Sequence, residues 1–138
     1  MTWVLDMLVT RGHGLDVNAD PRRIINEVEF QNGLEIPVRR MKWITARDVV
    51  QDEPLGNHFH KETREFFWVI EGEIAHLKMV DIETGSVREW EHLGPGSVVR
   101  VEPRVWHSLL LGQGCLLAVV SSTTTNGELW DTFKLEDE

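Results

Sequence analysis

The chain has 138 residues, enough for one domain that folds without disulfides or metal staples. Its 14 basic and 23 acidic residues leave a net charge of −9 without clustered Lys and Arg, which disfavours nucleic acid as a partner; its 41% hydrophobic content argues against bulk disorder. The single cysteine, Cys115, excludes an internal disulfide and a cysteine-rich zinc site, and it fits a reducing cytoplasm.

No apolar run approaches the ~20 residues of a membrane span, and Trp3–Val9 lacks the basic start of a signal peptide. Trp3–Thr10 reads as a strand and Arg11–Pro21 as a loop, because Gly12, Gly14, Asn18, Asp20 and Pro21 are turn formers. Ile24–Phe30 is ambiguous between a helical turn and a strand. Asn32-Gly33 signals a turn. Leu34–Thr45 reads as a strand, with Pro37 near an edge or bulge because proline cannot donate to the ladder. Val49–Gly56 reads as a polar loop. Phe66–Ile70, Glu73–Asp81, Val87–Glu91, Val98–Val101, His107–Leu111 and Cys115–Val120 follow as strands, punctuated by Gly72, Thr84-Gly85, Gly94-Pro95-Gly96, Gly112 and Gly114. Leu129–Phe133 is a possible last strand. Many short strands and no clear helix predict an all-β sandwich or barrel, residues 1–138 forming a single domain.

The informative segment is Gly56-Asn57-His58-Phe59-His60-Lys61-Glu62-Thr63-Arg64-Glu65. Side chains at i and i+2 of a strand share a face, so His58 and His60 point together with Phe59 opposite. Glu65 returns to the same interior if Lys61–Arg64 bends the chain. His107 is the candidate for a fourth ligand. Three imidazoles and a carboxylate suit Zn, Fe, Mn, Ni or Cu, without selecting among them.

His-x-His, then Glu after four residues, then Gly72 after six more, matches the first motif of the cupin family. Gly96 through Pro103 to His107 resembles its second motif, with Glu102 where proline is usual and Arg104 where glycine is common. The resemblance covers about 56–72 and 96–107. It implies a cupin jelly-roll β-barrel with few or no helices, a divalent transition metal held by His58, His60, Glu65 and His107, and, by family habit, a homodimer. Trp3–Thr10 would be free to pair with a partner's sheet.

Leu34-Glu35-Ile36-Pro37-Val38, Arg39-Arg40, Asp48-Val49 and Gly56–Lys61 are similar to the corresponding stretches of the sugar-nucleotide 3,4-ketoisomerases. That resemblance implies an isomerase or epimerase on a nucleotide-linked keto sugar, with His58 and His60 as the acid/base pair. Leu55 stands where arginine is expected, and the chain has no tyrosine. A cupin dioxygenase or lyase, and a non-catalytic small-ligand binder, are the rival readings. Only one of Arg39 and Arg40 can face the barrel; Arg40 and Arg104 are the candidate substrate contacts. Phe66, Trp68 and Trp106 read as packing, His76, His92 and His13 as surface or structural histidines, and Cys115 as a buried small hydrophobe.

Overall fold

The computed structural model describes residues 4–12, 16–27, 37–46, 54–124 and 131–137, with no side chains for 16–20, 23–27 and 137. Strands β1 (Val9–Thr10), β2 (Asp16–Asp20), β3 (Arg23–Glu27), β4 (Arg40–Thr45), β5 (Leu55–His58), β6 (Glu65–Glu71), β7 (Ile74–Asp81), β8 (Val87–Leu93), β9 (Val98–Val101), β10 (Val105–Leu111) and β11 (Leu116–Ser121) form three antiparallel sheets. Five strands order as β1-β9-β6-β11-β4, four as β5-β10-β7-β8, and β2 pairs with β3 alone.

The two larger sheets enclose one core. Phe67 and Val69 of β6, Val99 and Val101 of β9, and Leu117 and Val119 of β11 come from one sheet. Leu77 and Met79 of β7, with Val105, Leu109 and Leu111 of β10, come from the other. Burial of these alternate positions removes their apolar surface from water, the main drive for closing the sandwich. Among the described residues the only helical pieces are two 3-10 turns, Leu5–Leu8 and Leu135–Asp137. No helix among them is long and apolar enough to cross a membrane. The fold is the expected all-β jelly roll.

Turn chemistry accounts for the strand ends. Asp81 is buried, and its Oδ1 accepts the Glu83 N–H at 3.0 Å, closing the Thr84-Gly85 hairpin. Gly85 and Gly96 take φ of 76° and 87°, which a side chain would resist.

Three sequence expectations need correction. Residues of the expected Arg11–Pro21 loop form strand β2: its turn formers Asp20 and Pro21 sit at the β2–β3 reversal, whereas Asn18 lies within the ladder opposite Ile25. Trp3–Thr10 is largely a 3-10 turn with Leu5 and Leu8 buried. Its short strand pairs with β9 of the same chain, Val9 opposite Val99, so it is not free for a partner's sheet on that side. Of the expected Leu34–Thr45 strand, Arg40–Thr45 form a strand and Pro37, Val38 and Arg39 do not, while 34–36 lie outside the described residues. Asn32-Gly33, His13 and, of the expected strand Leu129–Phe133, Leu129 and Trp130 lie outside the described residues; Asp131 stands in a turn and Phe133 forms an isolated bridge with Phe59.

Candidate active site

His107 belongs to the inward row of β10, between buried Val105 and Leu109. Its register partner on β5 is His58. The ladder shifts register beside this pair, where Gly56 and Asn57 take φ of 86° and 58°. A Cβ on Gly56 would meet the His107 carbonyl oxygen at 2.8 Å, so the close approach of β5 to β10 depends on glycine. Phe59 then points away and is fully buried, its backbone bridging Phe133 in both directions at 2.9 and 3.0 Å. His60 returns to the interior. The ring centroids stand 4.6 Å apart for His58–His107, 4.9 Å for His58–His60 and 5.4 Å for His60–His107. The strand alternation of the sequence thus brings His58 and His60 together, and the β5–β10 pairing adds His107.

Glu65 opens β6 and is buried. Its Oε1 accepts the His60 Nε2–H at 2.8 Å, while Oε2 accepts the Ser121 hydroxyl at 2.8 Å. Arg40 lies behind it, with Nη2 at 3.8 Å from Oε2 and 3.3 Å from Ser121 Oγ. The Nε atom of Arg40 is buried with no hydrogen-bond partner among the described residues. Arg40 is therefore at the site, next to the carboxylate. Arg104 reaches the site only through its backbone, which donates to the His60 carbonyl at 2.7 Å. Its half-exposed side chain turns to Glu83 at 4.0 Å. Its φ of 64° lies in the left-handed region that favours glycine, and its side chain turns away from the histidines.

Sequence reasoning missed Asp131. Its carbonyl accepts the His60 Nδ1–H at 2.6 Å. Its carboxylate accepts the backbone N–H groups of Lys61, Glu62 and Thr63 at 2.8–2.9 Å, and the Thr63 hydroxyl at 2.8 Å. Ser121 was missed as well. Neither stands in a recognisable local pattern; only their distant partners reveal them.

The hydrogen bonds favour particular protonation states. Both His60 nitrogens face acceptors, an arrangement that favours the imidazolium, in which both donate. Burial alone would lower its pKa, but the bond to Glu65, the Glu65 charge and the Asp131 carbonyl outweigh it and hold it above the ordinary value. Burial would likewise raise Glu65; the bond and charge of His60, with smaller help from His107 and Ser121, bring it down to about 2. Burial and then the charges of His58 and His60 push His107 down to about 3, so it is neutral, its Nδ1–H lying 3.3 Å from the Val105 carbonyl. Burial, then the His60 charge, also lowers His58. The buried setting thus favours the charged form of His60 and the neutral forms of His58 and His107.

The donor set fits a divalent cation. Ligand atoms of His58, His60 and His107 lie within 4.8 Å of one another. Backbone carbonyls face Nδ1 of His60 and His107, the usual support of metal-bound imidazole, although Nε2 of His60 is bonded to Glu65. A cation there would displace the Nε2 proton of His60. Glu65 is not among the mutually adjacent ligand atoms; it stands one hydrogen bond behind His60.

The histidines converge from paired strands of one sheet onto the interior of the jelly roll. Residues 49–113 match the family model described as a cupin domain. Among solved structures, the chain is similar to QdtA, a 3,4-ketoisomerase from Thermoanaerobacterium thermosaccharolyticum, in two forms. A double mutant in complex with TDP is 21% identical at a TM-score of 0.63, over 92% of this chain and 87% of that one. A mutant in complex with TDP-4-keto-6-deoxyglucose is 19% identical at 0.67, over the same shares. The WlaRB TDP-quinovose 3,4-ketoisomerase from Campylobacter jejuni is 16% identical at 0.66, covering 88% of each chain. At these identities the likeness establishes the fold. No curated protein matches the sequence significantly.

Proposed function

We propose that this protein is an isomerase of nucleotide-linked keto sugars that moves a proton between adjacent sugar carbons. The observation that carries the reading is the unequal setting of neighbouring rings: both nitrogens of His60 face acceptors, which favours its charged form, while burial disfavours the charged form of His58, 4.9 Å away. General acid–base catalysis needs such a pair.

A ketone acidifies the neighbouring C–H. His58 takes that proton from carbon while His60 gives its Nε2 proton to the keto oxygen, leaving an enediol. His60 then accepts the proton of the other hydroxyl, and His58 returns its proton to the carbon that was the ketone. One C–H breaks and one forms, one O–H forms and one breaks, and both histidines end as they began. Glu65 is released from and restored to its bond with the His60 cation in the same cycle. A divalent cation held by His58, His60 and His107, with Glu65 nearby, would supply polarisation of the keto oxygen. Arg40 holds the Glu65 carboxylate and offers a cationic edge to an anionic substrate.

A second reading, metal-dependent cupin chemistry such as dioxygenation or lyase action, draws support from the convergence of one ring nitrogen each of His58, His60 and His107. The proposal extends to a single-domain, cytoplasmic homodimer, for which exposed Met41 and Trp43 on edge strand β4 offer an apolar contact.

One experiment separates these. Untagged wild type, His58→Asn, His60→Asn and His107→Ala are analysed for metal, sedimented, and incubated with TDP-4-keto-6-deoxyglucose. The isomerase reading expects a 3-keto product by sugar NMR and a loss of at least about 100-fold in each of the first two variants. No product from the wild type sinks it. About one metal per chain, lost in His107→Ala, together with no isomerisation, moves the assignment to the second reading. A monomer in sedimentation removes the dimer.

A further inference from the structure

His60 is anchored by a residue 71 positions away. Residues 131–133 run beside 59–63. Phe59 and Phe133 exchange backbone hydrogen bonds, and their rings stand 5.7 Å apart. The Lys61 ammonium sits over the Phe133 ring at 4.0 Å. Asp131 is the hub. It is buried, yet its carboxylate is bound by three successive backbone N–H groups and a hydroxyl. Those donors belong to the turn that carries the chain from His60 to Glu65. The Asp131 carbonyl at the same time takes the Nδ1–H of His60. A single residue therefore grips both the turn after His60 and the ring itself.

We propose that Asp131 is the positioning residue of the histidine centre, fixing the direction in which His60 presents Nε2 to Glu65 and to whatever occupies the site. The inference deepens the isomerase reading and, for its catalytic consequence, rests on it. The carboxylate does not touch the reacting atoms. It acts by preventing two shifts: rotation of the imidazole about its bond to Cβ, and drift of the Lys61–Thr63 backbone. Displacement of a catalytic group by about 1 Å can cost ~100-fold in rate.

Three variants grade the effect. Asp131→Ala removes all four acceptor contacts. Asp131→Asn keeps the shape and one oxygen but replaces the acceptor facing the Lys61 N–H with an amide donor. Thr63→Val removes only the hydroxyl contact. Each is labelled with 15N-histidine and examined at one fixed pH, the His60 ring signals being assigned by their absence in His60→Gln. The expected result is a downfield His60 Nδ1 proton in the wild type, lost in Asp131→Ala and shifted partway in Asp131→Asn, with the His107 signals in place. On TDP-4-keto-6-deoxyglucose, kcat should fall about 10- to 100-fold in Asp131→Ala and less in Asp131→Asn, with KM changed under about threefold. Unchanged His60 signals in folded Asp131→Ala overturn the proposal. Should that variant not fold, unchanged His60 signals in both Asp131→Asn and Thr63→Val overturn it. Absence of turnover in the wild type would refute the isomerase reading while the His60 signals still decide the positioning role.

Discussion

The His60–Glu65 and His76–Glu89 pairs use the same side chains at nearly the same distance, 2.8 and 3.0 Å. Their surroundings differ. The first pair is 8% and 4% exposed, the second 36% and 56%. His92 and Glu73 form another outer pair at 3.0 Å. The outer pairs border an open hollow of about 620 Å3 that also takes in Arg11 and Trp90. Water and salt reach that hollow, so pairing there gains little. At the inner site burial removes both, and the same contact sets protonation states. Neither the length of an ion pair nor the size of a cavity marks the chemistry here; exclusion of water does.

The largest expected difference comes from cutting one carboxylate in each region. Glu65→Ala leaves a buried imidazolium uncompensated and should cost about 3–5 kcal/mol in urea unfolding. Glu89→Ala should stay within about 0.5 kcal/mol. Equal losses would break the contrast.

Acid sharpens it next. His107 has a folded pKa of about 3 against an ordinary 6.5, and His58 is displaced in the same direction, so the unfolded chain binds protons first. Their contribution is present above pH 6.5 and declines as pH falls toward 3. Glu65, at about 2 against 4.5, adds a loss between those values. His60 runs the other way: displaced upward, its contribution is full below its unfolded value of 6.5 and is lost as pH rises through its folded pKa. Unfolding measured with chelator present should show stability dropping by about 1 kcal/mol per pH unit below 6.5. A flat profile would mean that the inner site is as well hydrated as the outer hollow.

The smallest effect belongs to the rim. Arg104→Gly relieves a left-handed residue whose side chain meets only an exposed partner, at the cost of extra backbone freedom in the unfolded chain. A gain of about 0–1 kcal/mol is expected, with turnover of the keto sugar unchanged. A large loss of activity would return the Arg104 side chain to the site.

The histidines and most of the strands that carry them were legible because their signals are local. Alternation put His58 and His60 on one face, and Gly72, Thr84-Gly85 and Gly96 marked real reversals. The β2–β3 hairpin was hidden by the very residues that make its turn. Asp131 and Ser121 were hidden for another reason: each matters through a hydrogen bond to a residue dozens of positions away, and no local pattern encodes such a bond. Glu65 was recognised as a site residue, but its bond to His60 depends on where β6 starts relative to β5. The positive φ at Arg104 likewise belongs to a turn that binds His60 from across the barrel.

The bond between His60 and Asp131 also orders events in time. It closes a segment of 71 residues, and strands β6 to β11 lie inside that segment. Closure of so long a loop carries an entropy cost that only an assembled barrel can repay. A nascent or refolding chain can therefore own a complete sheet pair, His58 and His107 in register, while His60 still lacks its anchor. Anchoring of His60 would follow the pairing of the sheets.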